Sequence, residues 1–203
     1  TSKGMTLLSY RAMEALPQQG DLTTNTLETV IQQLQSRQGN SGGFGYWRGS
    51  TSDSDDFLNC YVAHFLREAR DSGFSIDYEL QNRTSTKLKK ICESGEIPNL
   101  EMADRKAYAI YLLAREGQRP NSLASLREAL DRSHKGLWQN RLCGSFLAAT
   151  YKLLQEDDKA SEITKTWKLT KADQYKNGED YWSRAEVDAL LSFAIRARHF
   201  PDS

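Results

Sequence analysis

The sequence feature that most constrains the fold is an amphipathic helix pattern that follows a glycine- and aromatic-rich turn. The turn, residues 42–47, reads Gly-Gly-Phe-Gly-Tyr-Trp. Its glycines allow backbone angles closed to other residues, and its aromatic rings bring large apolar surface into a loop. Further along, apolar side chains recur with helical spacing: Phe57, Leu58, Tyr61, Val62, Phe65, Leu66 and Ala69. This spacing predicts a helix that buries one face against neighbouring elements.

Both ends of this helix carry cap signals. Asp55 and Asp56 precede the first apolar residue, where a carboxylate can accept backbone N–H groups and favour the helix dipole. Gly73 follows the last turn, in the position where glycine commonly ends a helix. We therefore predict a helix over residues 57–71.

The same order of turn and helix occurs twice more. In each case a glycine is followed by a tryptophan, Trp138 or Trp182, and then by apolar residues at helical spacing. Further helices are predicted over residues 1–16, 25–37, 80–92, 102–115, 123–131, 142–154 and 159–167, and a last one follows a capping box at 183–186. Hairpins that each bury one face must stack on their neighbours. We predict an all-α fold of paired helical hairpins in an α/α toroid, as a complete or an incomplete ring. The periodicity alone also fits an open solenoid.

Length and composition narrow the class of protein. The 203 residues favour one helical domain over 1–203, and the missing initial Met leads us to expect a fragment of a larger protein. Lys+Arg and Asp+Glu are balanced at 27 each, so the net charge gives no support for a nucleic-acid partner. No apolar run approaches the roughly 20 residues of a transmembrane helix, and the start carries no signal-peptide pattern.

The cysteine and histidine positions predict packed side chains rather than a metal site. The three cysteines, Cys60, Cys92 and Cys143, have no CxxC spacing, and the three histidines, His64, His134 and His199, stand at no ligand-like distance from them. His64 lies inside the predicted helix 57–71, and we interpret it as structural. No Ser-His-Asp set, GxSxG or HExxH occurs. We therefore predict no catalytic residue, no metal and no cofactor, and a chain that is not an enzyme.

The acidic run before the helix has two interpretations. It begins like a calcium loop but lacks the glycine and the glutamate that such a loop needs, since Leu58 and His64 stand there. Asp53, Asp55 and Asp56 also match the DxDD motif of class II terpene cyclases, whose chemistry needs a protonated carboxyl group in an apolar cavity. The simpler interpretation is a solvated helix cap.

The aromatic residues of the turn are the candidate site. Phe44, Tyr46 and Trp47 form either a structural aromatic plug or, together with Arg48, a recognition patch, because Tyr, Trp and Arg are enriched in binding hot spots. The plug is the preferred interpretation.

With this turn and helix, the chain resembles the thioester-domain region of bacterial α2-macroglobulins, which are relatives of complement components. The turn at residues 42–47 matches that region, as do Tyr61, Val62, His64, Phe65, Leu66, Glu68, Ala69, Gly73 and Phe74. The stretch 180–182, Asp-Tyr-Trp, is similar to another repeat of the same domain.

The resemblance implies a place for the reactive group. In that family a Cys-x-Glu-Gln motif forms an internal thioester and lies close to a Thr-Thr-Ser sequence. The chain opens Thr1-Ser2-Lys3, and none of its cysteines is followed by Glu-Gln. The resemblance therefore implies a thioester just upstream of Thr1, or a parent protein that lacks one.

The resemblance also implies a function for the parent protein in host defence. An attacking protease cuts a bait region elsewhere, the protein changes conformation, and the thioester acylates a lysine of the protease. Proteases and the other domains of the parent are the implied partners, and the periplasm is the implied location, with a lipid anchor in some parents. Such a thioester must be shielded from water, and we expect Phe44, Tyr46 and Trp47 to contribute. The alternatives are a toroidal terpene cyclase fragment and a non-covalent helical interaction module.

Overall fold

The computed structural model describes residue 5 and residues 20–45, 55–93, 95, 97–167 and 184–201. Within these residues the chain forms eight helices: α1 (Gly20–Gln35), α2 (Asp56–Asp71), α3 (Tyr78–Glu93), α4 (Leu100–Arg115), α5 (Ser122–Ser133), α6 (Leu142–Leu153), α7 (Asp157–Thr164) and α8 (Arg184–His199). Gln38 and Phe44 form an isolated antiparallel β-bridge. The all-α prediction is confirmed, and the toroid stays a prediction.

Every predicted helix after the first has a counterpart, with shifted ends. α4 begins at Leu100, earlier than predicted, because the side chain of Asn99 accepts a hydrogen bond of 2.9 Å from the Met102 N–H and caps the helix. α7 ends before Trp167. Helix 1–16 lies outside the described residues except for residue 5, and so does Trp182.

The chain divides into two compact units, Thr1–Ile91 and Cys92–Ser203. The prediction of one domain over the whole length therefore remains a prediction. No helix in the described part of either unit is long and apolar enough to cross a membrane.

The first unit is built around one apolar cluster. α1 contributes Leu27, Ile31 and Leu34, and α2 contributes Val62, Phe65, Leu66 and Ala69. α2 has the caps that the sequence predicts: Asp55 accepts a 2.9 Å hydrogen bond from the Phe57 N–H, and Gly73 has a φ of +89°. The Phe74 N–H then donates to the Ala69 carbonyl at 3.0 Å and closes the C-terminal turn.

In the second unit, α4 and α6 form the central helix pair. Both are buried around most of their circumference, and α5, α7 and α8 pack against them. The ring of Tyr108 stacks on that of Phe146 with centroids 4.3 Å apart, and Tyr111 contacts the same ring. Offset aromatic pairs of this kind add to the stabilisation from apolar burial.

The turn that precedes α6 is a plug in the core, as the sequence predicts. Trp138 is fully buried, its Nε1 donates to Oδ1 of Asp131 at 3.1 Å, and the guanidinium of Arg127 lies 5.0 Å from its ring centroid. A buried tryptophan needs a partner for its N–H group, and α5 supplies that partner.

A buried carboxylate caps the start of α6 from the neighbouring helix. Asp104 of α4 is 2% exposed, and it accepts the Cys143 N–H at 2.8 Å and the Arg141 Nη2 at 3.2 Å. Burial raises the pKa of Asp104, and the charge of Arg141 and the Cys143 hydrogen bond act in the opposite direction. The cap therefore fixes α6 against α4 through a desolvated polar contact.

On α8 the apolar stripe is only partly buried. Leu191 and Ile195 face the core, whereas Leu190 is 66% and Phe193 71% exposed. The predicted stripe placed Leu190 on the packed face, and the structure places it on the open one.

The close approach of α6 to the preceding turn predicts a strict glycine requirement. A Cβ atom at Gly144 would overlap the backbone of Gln139. We expect Gly144→Ala to lower the free energy of unfolding by about 3 kcal/mol, because the turn must move away from the helix. Urea denaturation measures this difference. Gly95→Ala is the control, since its Cβ meets no atom within 4 Å; equal stability of the two variants would contradict the packing described.

His199 predicts a pH dependence of stability. The Tyr111 hydroxyl lies 3.0 Å from its Nε2. Desolvation, then the charges of Arg198 and Arg115, lower the pKa of His199 from 6.5 to about 4. Because the unfolded chain takes up this proton at the higher pH, the stability contribution is complete above pH 6.5 and is lost as the pH falls towards about 4.

We therefore expect His199→Gln to lose less stability than the wild type between about pH 7 and about pH 4.5. The difference should be roughly 2 kcal/mol, reduced from the full effect of the shift because the ring is partly solvated. Urea denaturation at the two pH values checks it. Identical pH slopes for the variant and the wild type would contradict the assignment.

Candidate functional site

The candidate site is the glycine-aromatic turn, residues 42–47, together with residues 38–41 that lead into it; of this stretch, residues 38–45 are described. The turn doubles back on itself: Gly39 N–H donates to Gly43 O at 2.8 Å, Gly42 N–H to Gly39 O at 3.0 Å, and Gly45 N–H to Arg37 O at 3.2 Å. Gly42, Gly43 and Phe44 are buried. Because a buried loop has no water to bond its backbone, these internal hydrogen bonds are what allow the loop to enter the core.

Gly42 is required by close packing as well as by conformation. Its φ is +85°, a left-handed value that side chains disfavour. A Cβ atom there would overlap the carbonyl group of Arg83 in α3. The glycine therefore sets how closely α3 approaches the turn.

The side-chain amide of Gln38 connects the turn to α3. Its Nε2 lies 3.2 Å from Gly42 O, 3.2 Å from Leu80 O and 3.0 Å from Thr84 Oγ1. The Thr84 hydroxyl in turn donates to Leu80 O at 2.6 Å. One amide thus serves two elements.

Phe44 is held from both its side chain and its backbone. The side chain is 2% exposed and belongs to the apolar cluster of the first unit. Its N–H donates to Oδ1 of Asn59 at 2.8 Å. Asn59, on α2, is itself 1% exposed, and its Nδ2 donates to the Asp55 carbonyl at 3.1 Å. The buried asparagine therefore joins the turn to the first turn of α2.

Of the three predicted aromatic site residues, only Phe44 lies in the described part. It is buried, as the plug interpretation requires. Tyr46 and Trp47 lie outside the described residues, so the shared site of three rings stays a prediction.

The acidic run behaves as a helix cap where it is described. Asp55 is exposed and caps α2, and Asp56 forms an ion pair with Lys87 of α3 at 3.3 Å. Asp53 lies outside the described residues. A carboxyl group that protonates a substrate needs an apolar cavity, whereas these two are a solvated cap and a charge-paired residue. This geometry favours the cap interpretation.

His64 is buried, as expected for a structural residue, with Nε2 3.2 Å from Oε1 of Glu68. The three cysteines are also buried. Desolvation raises the pKa of Cys92 to about 12 and that of Cys143 well above its ordinary value. In the described part of the chain, no group of three or more His, Cys, Asp or Glu side chains could hold a metal ion.

Sequence reasoning missed the polar residues that support the turn: Gln38, Asn59 and Thr84. A signal for Asn59 was present, since an asparagine that stands among inward-facing apolar positions of a helix must find a buried partner. Which backbone group it bonds depends on the tertiary approach of the turn, which helical spacing does not contain.

We expect Asn59→Ala to destabilise the first unit by about 2 kcal/mol, because the Phe44 N–H would remain buried without its acceptor. Urea denaturation followed by tryptophan fluorescence measures the loss. Asn82→Ala, at an exposed position of α3, is the matched control and should change stability by less than about 0.5 kcal/mol. An Asn59 variant as stable as the control would show that this bond does not hold the turn.

Comparison with known proteins gives a consistent set of relatives, although no model of a protein family matches the chain. The chain is 32% identical over 178 residues to the alpha-2-macroglobulin of Rickettsia conorii, a match that covers 87% of this chain and 9% of the relative. For the alpha-2-macroglobulin homolog of Yersinia pestis, the identity is 32% over 183 residues, with the same coverage. The alpha-2-macroglobulin of Pasteurella multocida is 30% identical to the chain, and the match covers 97% of this chain and 11% of the relative. The chain thus spans about a tenth of the length of these curated relatives.

Solved structures show the same fold. The native conformation of Escherichia coli alpha-2-macroglobulin matches 92% of this chain and 12% of its own, with a TM-score of 0.66 and 22% identity. The E. coli protein activated by porcine elastase has a TM-score of 0.68 and 21% identity. The match covers 90% of this chain and 17% of the E. coli chain. Salmonella alpha-2-macroglobulin reacted with methylamine has a TM-score of 0.65 and 19% identity. The match covers 87% of this chain and 12% of the Salmonella chain.

Proposed function

Because the chain is homologous to a segment of the bacterial alpha-2-macroglobulins, we propose that it is the thioester or thioester-like domain of a longer protein that traps attacking proteases. The observation that carries this proposal is the identity of about 30% over most of the chain to relatives of that name. The function belongs to the parent protein, of which this chain contributes one helical part.

The chemistry of the similar proteins is in line with a protease trap. One E. coli structure is of the protein activated by elastase, and one Salmonella structure is of the protein reacted with methylamine. Methylamine is a small nucleophile that can attack a thioester carbonyl and release the thiol. In the proposed parent, the lysine of a captured protease performs the same attack.

The packing of the first unit supports a position for the thioester close to the turn. Phe44 belongs to the apolar cluster, and Met5 packs against that same cluster. Met5, near the start of the chain, therefore shares a core with the turn. In this proposal, a thioester just upstream of Thr1 is shielded from water by this core and by Tyr46 and Trp47, until activation exposes it.

The rest of the proposal follows from the family. The partners are attacking proteases and the other domains of the parent, the role is host defence, and the location is the periplasm, with or without a lipid anchor. The domain acts through acyl transfer to a protease and not through turnover of a substrate.

We expect the protein extended upstream of Thr1 to gain the mass of one methylamine and one free thiol when methylamine is added. Intact mass spectrometry and a thiol reagent measure the two changes. The background signal of the thiol reagent should be low, because Cys60, Cys92 and Cys143 are buried. Burial also keeps the pKa values of Cys92 and Cys143 high. Buried thiols react slowly, so the native protein should show no reactive thiol before methylamine is added.

The control is the same protein with the cysteine of the upstream motif replaced by alanine, which should gain neither mass nor thiol. A folded wild type that also gains neither would overturn the covalent trap. A second assay then tests enclosure: a trapped protease should still cleave a small peptide but not a large protein substrate. Full cleavage of both would overturn protease trapping itself.

A non-covalent helical interaction module is the second candidate. The exposed Leu190 and Phe193 on α8 favour it, because large apolar side chains on one open helix face are typical of binding surfaces. Failure of both assays above would leave this candidate in place.

A further inference from the structure

A cleft of about 380 Å³ lies along one face of α5 in the second unit. Ser122, Ser125, Leu126, Arg132 and Ser133 line it from the helix, and Lys106 lines it from α4. From Ser122 to Ser133 these positions span the length of α5, about 17 Å at 1.5 Å per residue. The cleft is remote in sequence from the glycine-aromatic turn, and nothing in the proposed trap uses it.

Lys106 is the unusual residue of this cleft. It is 7% exposed, and its Nζ donates to the carbonyl of Gly95 at 2.8 Å. An ammonium group has three N–H donors, and no carboxylate of the described residues lies within ion-pair distance of it. Burial of an amine without a counter-charge is unfavourable, and desolvation lowers the pKa of Lys106 accordingly.

The nearest titratable neighbour does not supply the missing charge. Cys92 is buried, and desolvation raises its pKa to about 12, so its thiol is neutral at physiological pH. The hydroxyl of Ser122 lies against this thiol. Among the described residues, the positive charge of Lys106 therefore has no counter-charge, and Lys106 lines the cleft.

The rest of the lining strengthens the positive character. Arg132 is a second cation, and no carboxylate among the described residues pairs with it either. Ser122 stands in the first turn of the 12-residue α5, where the helix dipole adds partial positive charge. The described lining contains no Asp or Glu, and Ile97 and Leu126 give it an apolar floor.

We propose that this cleft binds an organic oxyanion, that is, a carboxylate or phosphate group joined to an apolar moiety. Lys106 and Arg132 provide the counter-charge, the hydroxyls of Ser122 and Ser133 donate hydrogen bonds to the oxygens, and Ile97 and Leu126 contact the apolar part. The Ser125 hydroxyl also lines the cleft but donates to the Ser122 carbonyl at 3.0 Å. The proposal does not depend on protease trapping, because it rests on residues of the second unit alone.

The test is a titration of the ¹⁵N-labelled chain followed by amide chemical shifts. The probes are benzoate, its neutral isostere benzamide and inorganic phosphate, all at constant ionic strength. We expect benzoate to give saturable shifts centred on Ser122, Ser125 and Arg132. Lys106→Met and Arg132→Gln should each weaken binding about tenfold through loss of a charged hydrogen-bond donor. Lys165→Met, at an exposed position that does not line the cleft, is the charge-matched control and should bind as the wild type.

Each outcome decides the proposal. Saturation by benzoate but not by benzamide supports it. Competition by phosphate supports it and shows that the oxyanion alone suffices, whereas absence of competition shows that the apolar floor is also needed. Equal binding of benzamide, equal affinity of the Arg132→Gln and Lys165→Met variants, or shifts that do not saturate would each overturn it. Arg132 is exposed, so its variant keeps the test valid if Lys106→Met does not fold.

Discussion

The hydrogen bonds of buried turns are the interaction on which the rest of this structure depends. A turn can enter an apolar core only if its backbone N–H and C=O groups find partners there. In the first unit Asn59 accepts the N–H of Phe44, and Gln38 donates to the carbonyl of Gly42. In the second unit Asp104 accepts the N–H of Cys143 at the start of α6. In both units a neighbouring helix supplies a buried polar side chain that bonds this backbone. An aromatic side chain nearby, Phe44 or Trp138, is buried in the core.

This arrangement gives a physical reason for two glycine residues, Gly42 in the first turn and Gly144 at the start of α6. Once a polar side chain fixes the turn against a helix, the backbones approach too closely for a Cβ atom, as at Gly42 beside α3 and at Gly144 beside Gln139. The backbones are therefore closely packed at these two positions, and in the first unit the turn adds the side chain of Phe44 to the apolar surface of the core. In the proposed trap, such a surface is what a water-sensitive acyl group would need on its inner side.

The sequence predicted the helices well because their apolar stripes have a clear period and their caps are local. Asp55 and Gly73 were both found from their positions alone. Asn59, Gln38 and Asp104 could not be assigned a role, because each bonds a backbone group that is distant in sequence. The exposure of Leu190 was missed for a related reason, since a helical stripe does not say how far a neighbour covers it. Of the candidate site, the structure describes Phe44 alone, which is buried, so the site itself stays a prediction; the polar residues that hold Phe44 were not predicted.

The burial of Cys60, Cys92 and Cys143 has a consequence for the environments in which this chain can persist. An odd number of thiols is a hazard in an oxidising compartment, because an unpaired thiolate attacks disulfides and joins chains together. Attack requires ionisation and access. Burial restricts access to all three thiols, and desolvation raises the pKa of Cys92 to about 12 and that of Cys143 well above its ordinary value. The packing of the helices therefore limits the oxidation of these three thiols in the folded chain.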